Sequence, residues 1–496
     1  MTDLAQTPAQ DRTDGFGRER WIALLVLCTG FLMIILDSTI VNVALPVIQD
    51  DLDFSQTSLA WVVNAYLIAF GGLLLLAGRV GDLIGRKRVF LAGLTVFTLA
   101  SLLCGLASSQ EMLIAARFVQ GVGGAMTAAV ILGMIVSMFP QPGEQARAIG
   151  VYSFVASAGA SIGLLAGGGL TEAISWHWIF FVNVPIGIAT GIAAMRVLKH
   201  DEGIGLERGA DLMGALLVVS SLMLGVYTIV GTETHGWGSA HTLSFAALAV
   251  ALLGAFLVRE ANTKNPLVPL GIFRSRTVTG ANLVQTLMVA GLFGMFFLGA
   301  LYLQRVLGYD SIEVGLAFLP VAIAIGVMSF SISAKLIMRF GATNVLVPGL
   351  VLVAAGLALF QRVPVDGEYV TDLLPTMLLL GIGAGLAFPS LMTLAMAGVG
   401  PSDSGLASGL VNTTQQVGGA LGLAVLATLS ADRTDSLRAS GDSTAEALTG
   451  GYHLAFGIAA GLVVAGLVAT LALLRTDSRA AQHEHAAEPA YAEEAA

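Results

Sequence analysis

Apolar stretches of about 20 residues recur along the whole chain from Trp21 to Arg475, separated by short segments rich in Gly, Pro and charged side chains. A stretch of that length, wound as a helix, matches the hydrocarbon thickness of a bilayer. The windows fall near 21–45, 57–77, 89–107, 112–138, 148–170, 178–198, 211–231, 241–260, 278–303, 312–337, 344–361, 372–398, 405–430 and 451–475. They predict an all-α membrane protein with fourteen spans. The shortest connection, from Ala107 to Met112, leaves open a bend within one long helix. The first run is too long for a signal-peptide core and no small-residue cleavage site follows it, so it is expected to remain as a span.

Lys and Arg are unevenly divided between the connections. Arg79, Arg86, Lys87, Arg88, Arg147, Lys199, Lys264, Arg274 and the residues of both tails fall on one side, whereas Arg305, Arg362, Arg433 and Arg438 fall on the other with Asp50, Asp51 and Asp53. Basic residues collect on the cytoplasmic side. Both termini are therefore expected in the cytoplasm of a multi-pass cell-membrane protein. Trp176 and Trp178 are expected in the outer aromatic belt.

Composition sharpens this picture. Of 496 residues, 56% are hydrophobic and 11% charged, against about 25% charged in soluble domains. The 60 glycines, about 12% against a usual ~7%, imply many helices in close approach, since small residues set backbone distance in a bilayer. A formal net charge of -9 offers no basic face for nucleic acid. Cys28 and Cys104 lie inside apolar runs and suggest neither a disulfide nor a metal site. His483 and His485 in the acidic tail are too few and too flexible to predict a metal, and no metal or cofactor is expected. Gly381-Ile382-Gly383-Ala384-Gly385 lacks the preceding strand of a dinucleotide fingerprint, and no GxxxxGK[ST] phosphate loop occurs. These absences point away from an enzyme.

A faint repeat aligns the stretch after Gly85 with that after Gly341: Val89 with Val345, Gly93 with Gly349, Leu94 with Leu350. Its offset leaves spans seven and eight between two halves. The expected organisation is a tail (1–20), a six-helix bundle (21–200), two inserted helices (201–265), a second six-helix bundle (266–475) and a disordered cytoplasmic tail (476–496).

Several polar residues break the apolar pattern. Asp37, within Leu36-Asp37-Ser38-Thr39-Ile40-Val41-Asn42-Val43-Ala44-Leu45-Pro46, is the one acid well inside a span, where an ionised carboxylate costs roughly 2.5–3.5 kcal/mol. Arg117 lies about 8 Å into span four, and Asp37 about 13 Å in from Pro46 on the same side. The pair is expected to meet. Gly159, Gly163 and Gly167 form a bare stripe along span five. Gly78-Arg79-Val80-Gly81-Asp82-Leu83-Ile84-Gly85-Arg86-Lys87-Arg88 joins spans two and three.

These segments resemble the drug:proton antiporters of the major facilitator superfamily, EmrB/QacA type. The span-one segment is similar to that branch's first-helix signature. The 78–88 connection is similar to the superfamily's cytoplasmic signature. Arg117, Gln120, Gly121, Gly123, Gly124 and Ala125 match the arginine-bearing motif. Gly159–Leu170 resembles the antiporter motif with Leu164 in the place of its proline. Trp176–Gly187, Asp211 with Gly214, Tyr302-Leu303-Gln304, Gly315-Leu316 and Gly405–Gly409 leading to Gln415, Gln416 and Gly418 extend the likeness to the fourteen-helix branch.

The resemblance implies the major facilitator fold, two six-helix bundles plus two inserted helices, with a site between rocking halves. It implies proton coupling at Asp37 and Arg117, and gating by Gly78, Asp82, Gly85, Arg86 and Arg88. Asn42, Gln120, Asn412, Gln415 and Gln416 are candidates for a substrate cavity, the last three with the alternative of bridging helices by hydrogen bonds. The expected partners are a small drug or antibiotic-like molecule, protons and the lipid bilayer. An importer or uniporter on the same fold is the alternative, because fold does not set direction. A membrane sensor lacks an output domain here, and a channel lacks a filter sequence.

Overall fold

In the computed structural model the described residues are 10–139, 141–199, 201–203, 205, 211–263, 266–268, 270–397 and 404–474. The expected C-terminal tail (476–496) and residues 1–9 lie outside them, whereas residues 10–20 of the expected N-terminal tail belong to the first helix. Helices follow in unbroken succession: α1 (Gln10–Asp51), α2 (Gln56–Ile84), α3 (Arg86–Gly105), α4 (Gln110–Met138), α5 (Pro142–Ala173), α6 (Trp178–Phe181), α7 (Asn183–Val197), α8 (Leu212–Val230), α9 (Thr232–His235), α10 (Ala240–Asn262), α11 (Arg276–Arg305), α12 (Ser311–Val327), α13 (Ala334–Phe340), α14 (Ala342–Phe360), α15 (Leu374–Met396), α16 (Ser404–Ala439) and α17 (Thr444–Leu473). Two π-turns join α12 to α13 and lead into α15.

Eleven helical stretches among the described residues are long and apolar enough to cross a membrane; Ser311–Val327 is apolar but shorter. The expected windows at 148–170, 312–337 and 405–430 fall on α5, α12–α13 and α16, outside those eleven. Side-chain caps define many of the starts. Ser55 accepts the Ser58 amide at 3.1 Å and Ser109 that of Met112 at 3.2 Å. Asp310 with Glu313 and Ser443 with Glu446 form reciprocal capping boxes. The Ala107–Met112 connection is a turn between two capped helices, so the bend does not occur.

One expectation changes at the end of the bundle that carries Asp50. The sixth window is met by α6 and α7, which adjoin at Val182 and form one spanning stretch, Trp178–Val197. Trp176 is not a belt residue: it is 2% exposed, and its Nε1 donates to Asp51 Oδ2 at 2.8 Å. Trp178, 45% exposed, is the outward one.

The packing falls into two groups. In the first, α4 lies on α2 and α3, and α1 on α5 and α7; in the second, α11 lies on α16 and α17, and α14 on α15 and α17. α8 leans on α2 and α16, one from each group, and α10 packs on α8. The repeat has a backbone counterpart: Gly85 (φ 102°) opens α3 and Gly341 (φ 85°) opens α14. Positive φ at both places favours glycine.

The groups meet along α2–α16, α5–α12 and α1–α11. Near Asp50 the seam is tight. Gln304 donates to the Val43 carbonyl at 3.1 Å, and Arg305 to the Pro46 carbonyl at 3.2 Å and to the Asp50 carboxylate. A Cβ on Gly168 would lie 2.5 Å from the Ser311 carbonyl, and one on Gly315 2.6 Å from that of Leu164.

Candidate functional site

Asp37 sits about two-thirds of the way along α1 and is fully buried. Its Oδ2 accepts Arg117 Nη1 at 2.6 Å, and its Oδ1 accepts Gln120 Nε2 at 2.6 Å and Asn183 Nδ2 at 3.1 Å. Arg117, 1% exposed, also donates from Nη1 to Gln120 Oε1 at 2.6 Å and from Nε to the Val62 carbonyl at 2.9 Å. Its guanidinium lies 4.4 Å from the centre of the Tyr66 ring and 5.7 Å from that of Phe180. A desolvated cation over aromatic faces gains about 2 kcal/mol or more. Gln120 Nε2 further reaches Ser101 Oγ at 2.7 Å, so five helices, α1 to α4 and α7, hold one ion pair.

Helix geometry brings these groups together. Arg117 and Gln120 are three apart on α4 and share a face. The glycines that follow them admit the neighbours: a Cβ on Gly121 would lie 2.5 Å from the Tyr66 carbonyl, and one on Gly124 3.2 Å from the Tyr66 hydroxyl. Gln120 is thus a member of the buried network rather than of a cavity wall. The network keeps spare capacity. Asn183 Oδ1 and the Tyr66 hydroxyl, both buried, have no hydrogen-bond partner among the described residues. Asn42 turns back to its own helix, donating to the Ser38 carbonyl at 3.1 Å.

The glycine stripe of α5 faces α1 on both sides of Asp37. A Cβ on Gly159 would lie 2.8 Å from Leu32, one on Gly167 2.7 Å from the Ile40 carbonyl, and one on Gly163 would strike Thr39 Oγ1. Leu164 is buried at 3% in a continuous helix.

At the opposite end from Asp50, Arg86 binds Asp82 through Nη2 at 2.9 Å and Nε at 3.1 Å, and its Nη1 reaches the Gly133 carbonyl at 2.9 Å. Asp201, which the sequence did not single out, caps α3 by accepting the Arg86 amide at 2.6 Å and the Lys87 amide at 3.2 Å. Any Cβ on Gly85 would meet the Asp201 carbonyl. Gly78 faces Ala129, and Arg88 donates to the Ile84 carbonyl at 3.3 Å. The elements therefore supply a charged loop clamped by the segment after α7.

On α16, Asn412 is exposed and Gln415 and Gln416 are half-buried. Gln415 Oε1 accepts Gln285 Nε2 at 3.4 Å, and Thr414 donates to Asn282 Oδ1 at 2.9 Å. None of these residues is among the partners of Asp37. Ser101 escaped the sequence reading, and Asn183 entered it only within the Trp176–Gly187 likeness, with no role. Asn183 carried a faint signal as an amide in an apolar window; a lone serine such as Ser101 carried none.

A chain of apolar helices in two groups, with one sealed ion pair and a seam between the groups, has the build of a polytopic membrane transporter. Residues 27–423 match the model of the Major Facilitator Superfamily, and the chain belongs to that family. It is 40% identical over 484 residues, 96% of this chain and 95% of the other, to the puromycin resistance protein pur8 of Streptomyces alboniger. To the cephamycin export protein CmcT of Amycolatopsis lactamdurans it is 39% identical over 414 residues, covering 83% and 85%. The fold is also that of a bacterial homologue of the lysosomal transporter Spinster in an inward-facing, unoccupied conformation, with TM-score 0.66, 17% identity, and 92% and 98% of the two chains covered.

Proposed function

We propose that this protein is a proton-coupled exporter of drug or antibiotic-like small molecules, working by alternating access in the cell membrane as a fourteen-helix antiporter arranged 6 + 2 + 6. The observation that carries the proposal is the sealed Asp37–Arg117 pair: a buried carboxylate held by a cation and two amides, on the helix that also meets the second half at the Asp50 end. Intramembrane acids of this kind mark proton relays. Names of relatives that denote antibiotic resistance and export support the direction of transport and the substrate class.

In this scheme the Asp50 end faces outward, where Arg305 and Gln304 close the seam. The Arg86 end and both termini face the cytoplasm. Gly78, Asp82, Gly85, Arg86 and Arg88 form the inner gate. Rocking opens a water path to Asp37 from one side at a time, so the carboxylate takes a proton from outside and gives it up inside. A potential of 100 mV is worth about 2.3 kcal/mol per charge and a pH unit about 1.4 kcal/mol. One proton therefore sustains a substrate gradient on the order of several hundredfold.

The test is collapse of a preformed pH gradient in everted vesicles on adding puromycin. Wild type should dissipate the gradient, Asp37→Glu partly, and Asp37→Asn not at all. Proton-coupled puromycin export by Asp37→Asn at the wild-type rate would remove the proton from this residue.

A further inference from the structure

We infer that the transported solute is held not by the buried acid but by an uncharged hydrogen-bonding site on α16 and α11, built from Gln285, Gln415, Gln416 and Thr413. Such a site takes molecules that carry both donors and acceptors, amides and hydroxyls above all. The inference rests on the efflux reading and names the substrate chemistry of that transporter.

Three observations lead here. Asp37 is fully buried and accepts three hydrogen bonds, all from within the first group of helices. No face of that carboxylate is open to a cation. The polar arc of α16, by contrast, stands between the two groups. Gln415 points to α11, where it meets Gln285. Gln416 points to α2 of the other group, so close that a Cβ on Gly71 would lie 2.6 Å from its Cβ. Asn412, one turn earlier than both, is exposed, so the polar arc continues from the buried seam to the surface.

The third observation is unmet hydrogen-bonding capacity. Gln285 Oε1, Gln416 Oε1 and Thr413 Oγ1 are shielded from solvent and have no partner among the described residues, although Gln285 is only 2% exposed. Buried polar groups of this kind are nearly always satisfied, and leaving one unpaired costs about 1–3 kcal/mol. Gln285 lies on the α11 side of α16, and Gln416 and Thr413 lie toward α2, so a solute spanning that arc would supply their partners. Over residues 64–72, 282–289 and 409–419 there is no Asp, Glu, Lys, Arg or His, so the ligand is selected by hydrogen bonds rather than by charge. A site built to hydrogen-bond a solute also rejects one that lacks those groups.

The experiment is calorimetric titration of the purified full-length protein in detergent with puromycin, which bears an amide, hydroxyls and an amine. Gln285→Met and Gln416→Met keep the side-chain length and remove the polar atoms. Each should weaken binding tenfold or more, while Asp37→Asn binds within about twofold of wild type. Tetraphenylphosphonium, a permanent cation with no hydrogen-bonding group, should not displace puromycin. Elution volume and unfolding midpoint establish that each variant is folded, and Gln416→Asn, which keeps the amide, should recover part of the affinity.

Full-strength binding by both methionine variants overturns the inference. So does loss of binding confined to Asp37→Asn, displacement by tetraphenylphosphonium, or failure of the wild-type protein to bind puromycin. Wild-type binding without collapse of a proton gradient in vesicles instead refutes the efflux reading and leaves the comparison of variants decisive for the site.

Discussion

Exchanging the two charged members of the buried network singly and together measures how far they act as a unit. Arg117→Met keeps the volume of the stem but removes the donors to Asp37, Gln120 and the Val62 carbonyl. Breaking a buried ion pair on one side costs about 3–5 kcal/mol, because the remaining charge stays desolvated. Asp37→Asn is similar in size for a different reason. Asn183 can turn its amide, since its Oδ1 has no partner, but Gln120 cannot turn without giving up Arg117. One donor is left facing another. The double variant holds no unpaired charge, so its loss should fall short of the sum of the single losses by about 3 kcal/mol, the upper end of contact couplings. Reversible unfolding in mixed micelles with rising dodecyl sulfate gives the three free energies. Losses that add within ~0.5 kcal/mol would show that the two charges do not share one energetic unit.

Two further outcomes are expected. Gly163→Ala should impair puromycin-driven proton exchange through contact with Thr39, at a cost of about 1–3 kcal/mol, and Thr39→Ala should restore it; impairment unrelieved by Thr39→Ala would place the fault elsewhere on α5. Asp201→Ala removes the cap from α3, worth about 1 kcal/mol, so the amides of Arg86 and Lys87 should exchange with deuterium about fivefold faster; unchanged exchange would mean that Asp201 does not hold the start of α3.

The class of fold was legible because the bilayer imposes its own length on every spanning helix, and because that signal repeats through the chain. Asp37 and Arg117 were legible for the same reason: a charge in an apolar window is costly, and depth along two helices put both at one level. Their companions were not. Ser101 and Asn183 reach the carboxylate from α3 and α7, and which face of a helix turns inward depends on neighbours that hydropathy does not name. Gln120 looked like a cavity residue because an isolated glutamine cannot reveal that its partner lies on α1. Trp176 followed the rule for membrane aromatics, yet it sits in the turn before α6, buried against Asp51. Asp201 sits in a polar connection, where one acid resembles any other until its partners are known.

What joins these parts is α1. It carries Asp37 in its interior, presents Leu32, Thr39 and Ile40 to the bare stripe of α5, and ends in the Val43–Asp50 segment gripped by Gln304 and Arg305 of α11. Small residues on α5 let the two backbones approach until side chains interlock, so α1 has little freedom to shift by itself. In the proposed scheme a change in the charge of Asp37 would alter what α4 and α7 hold, and the same helix would convey that change to the contact between the halves. The solute site proposed on α16 adjoins the first half through α2, not α1. On that reading proton and substrate would act on one rocking motion through different helices, and exchange between them would need no shared binding group.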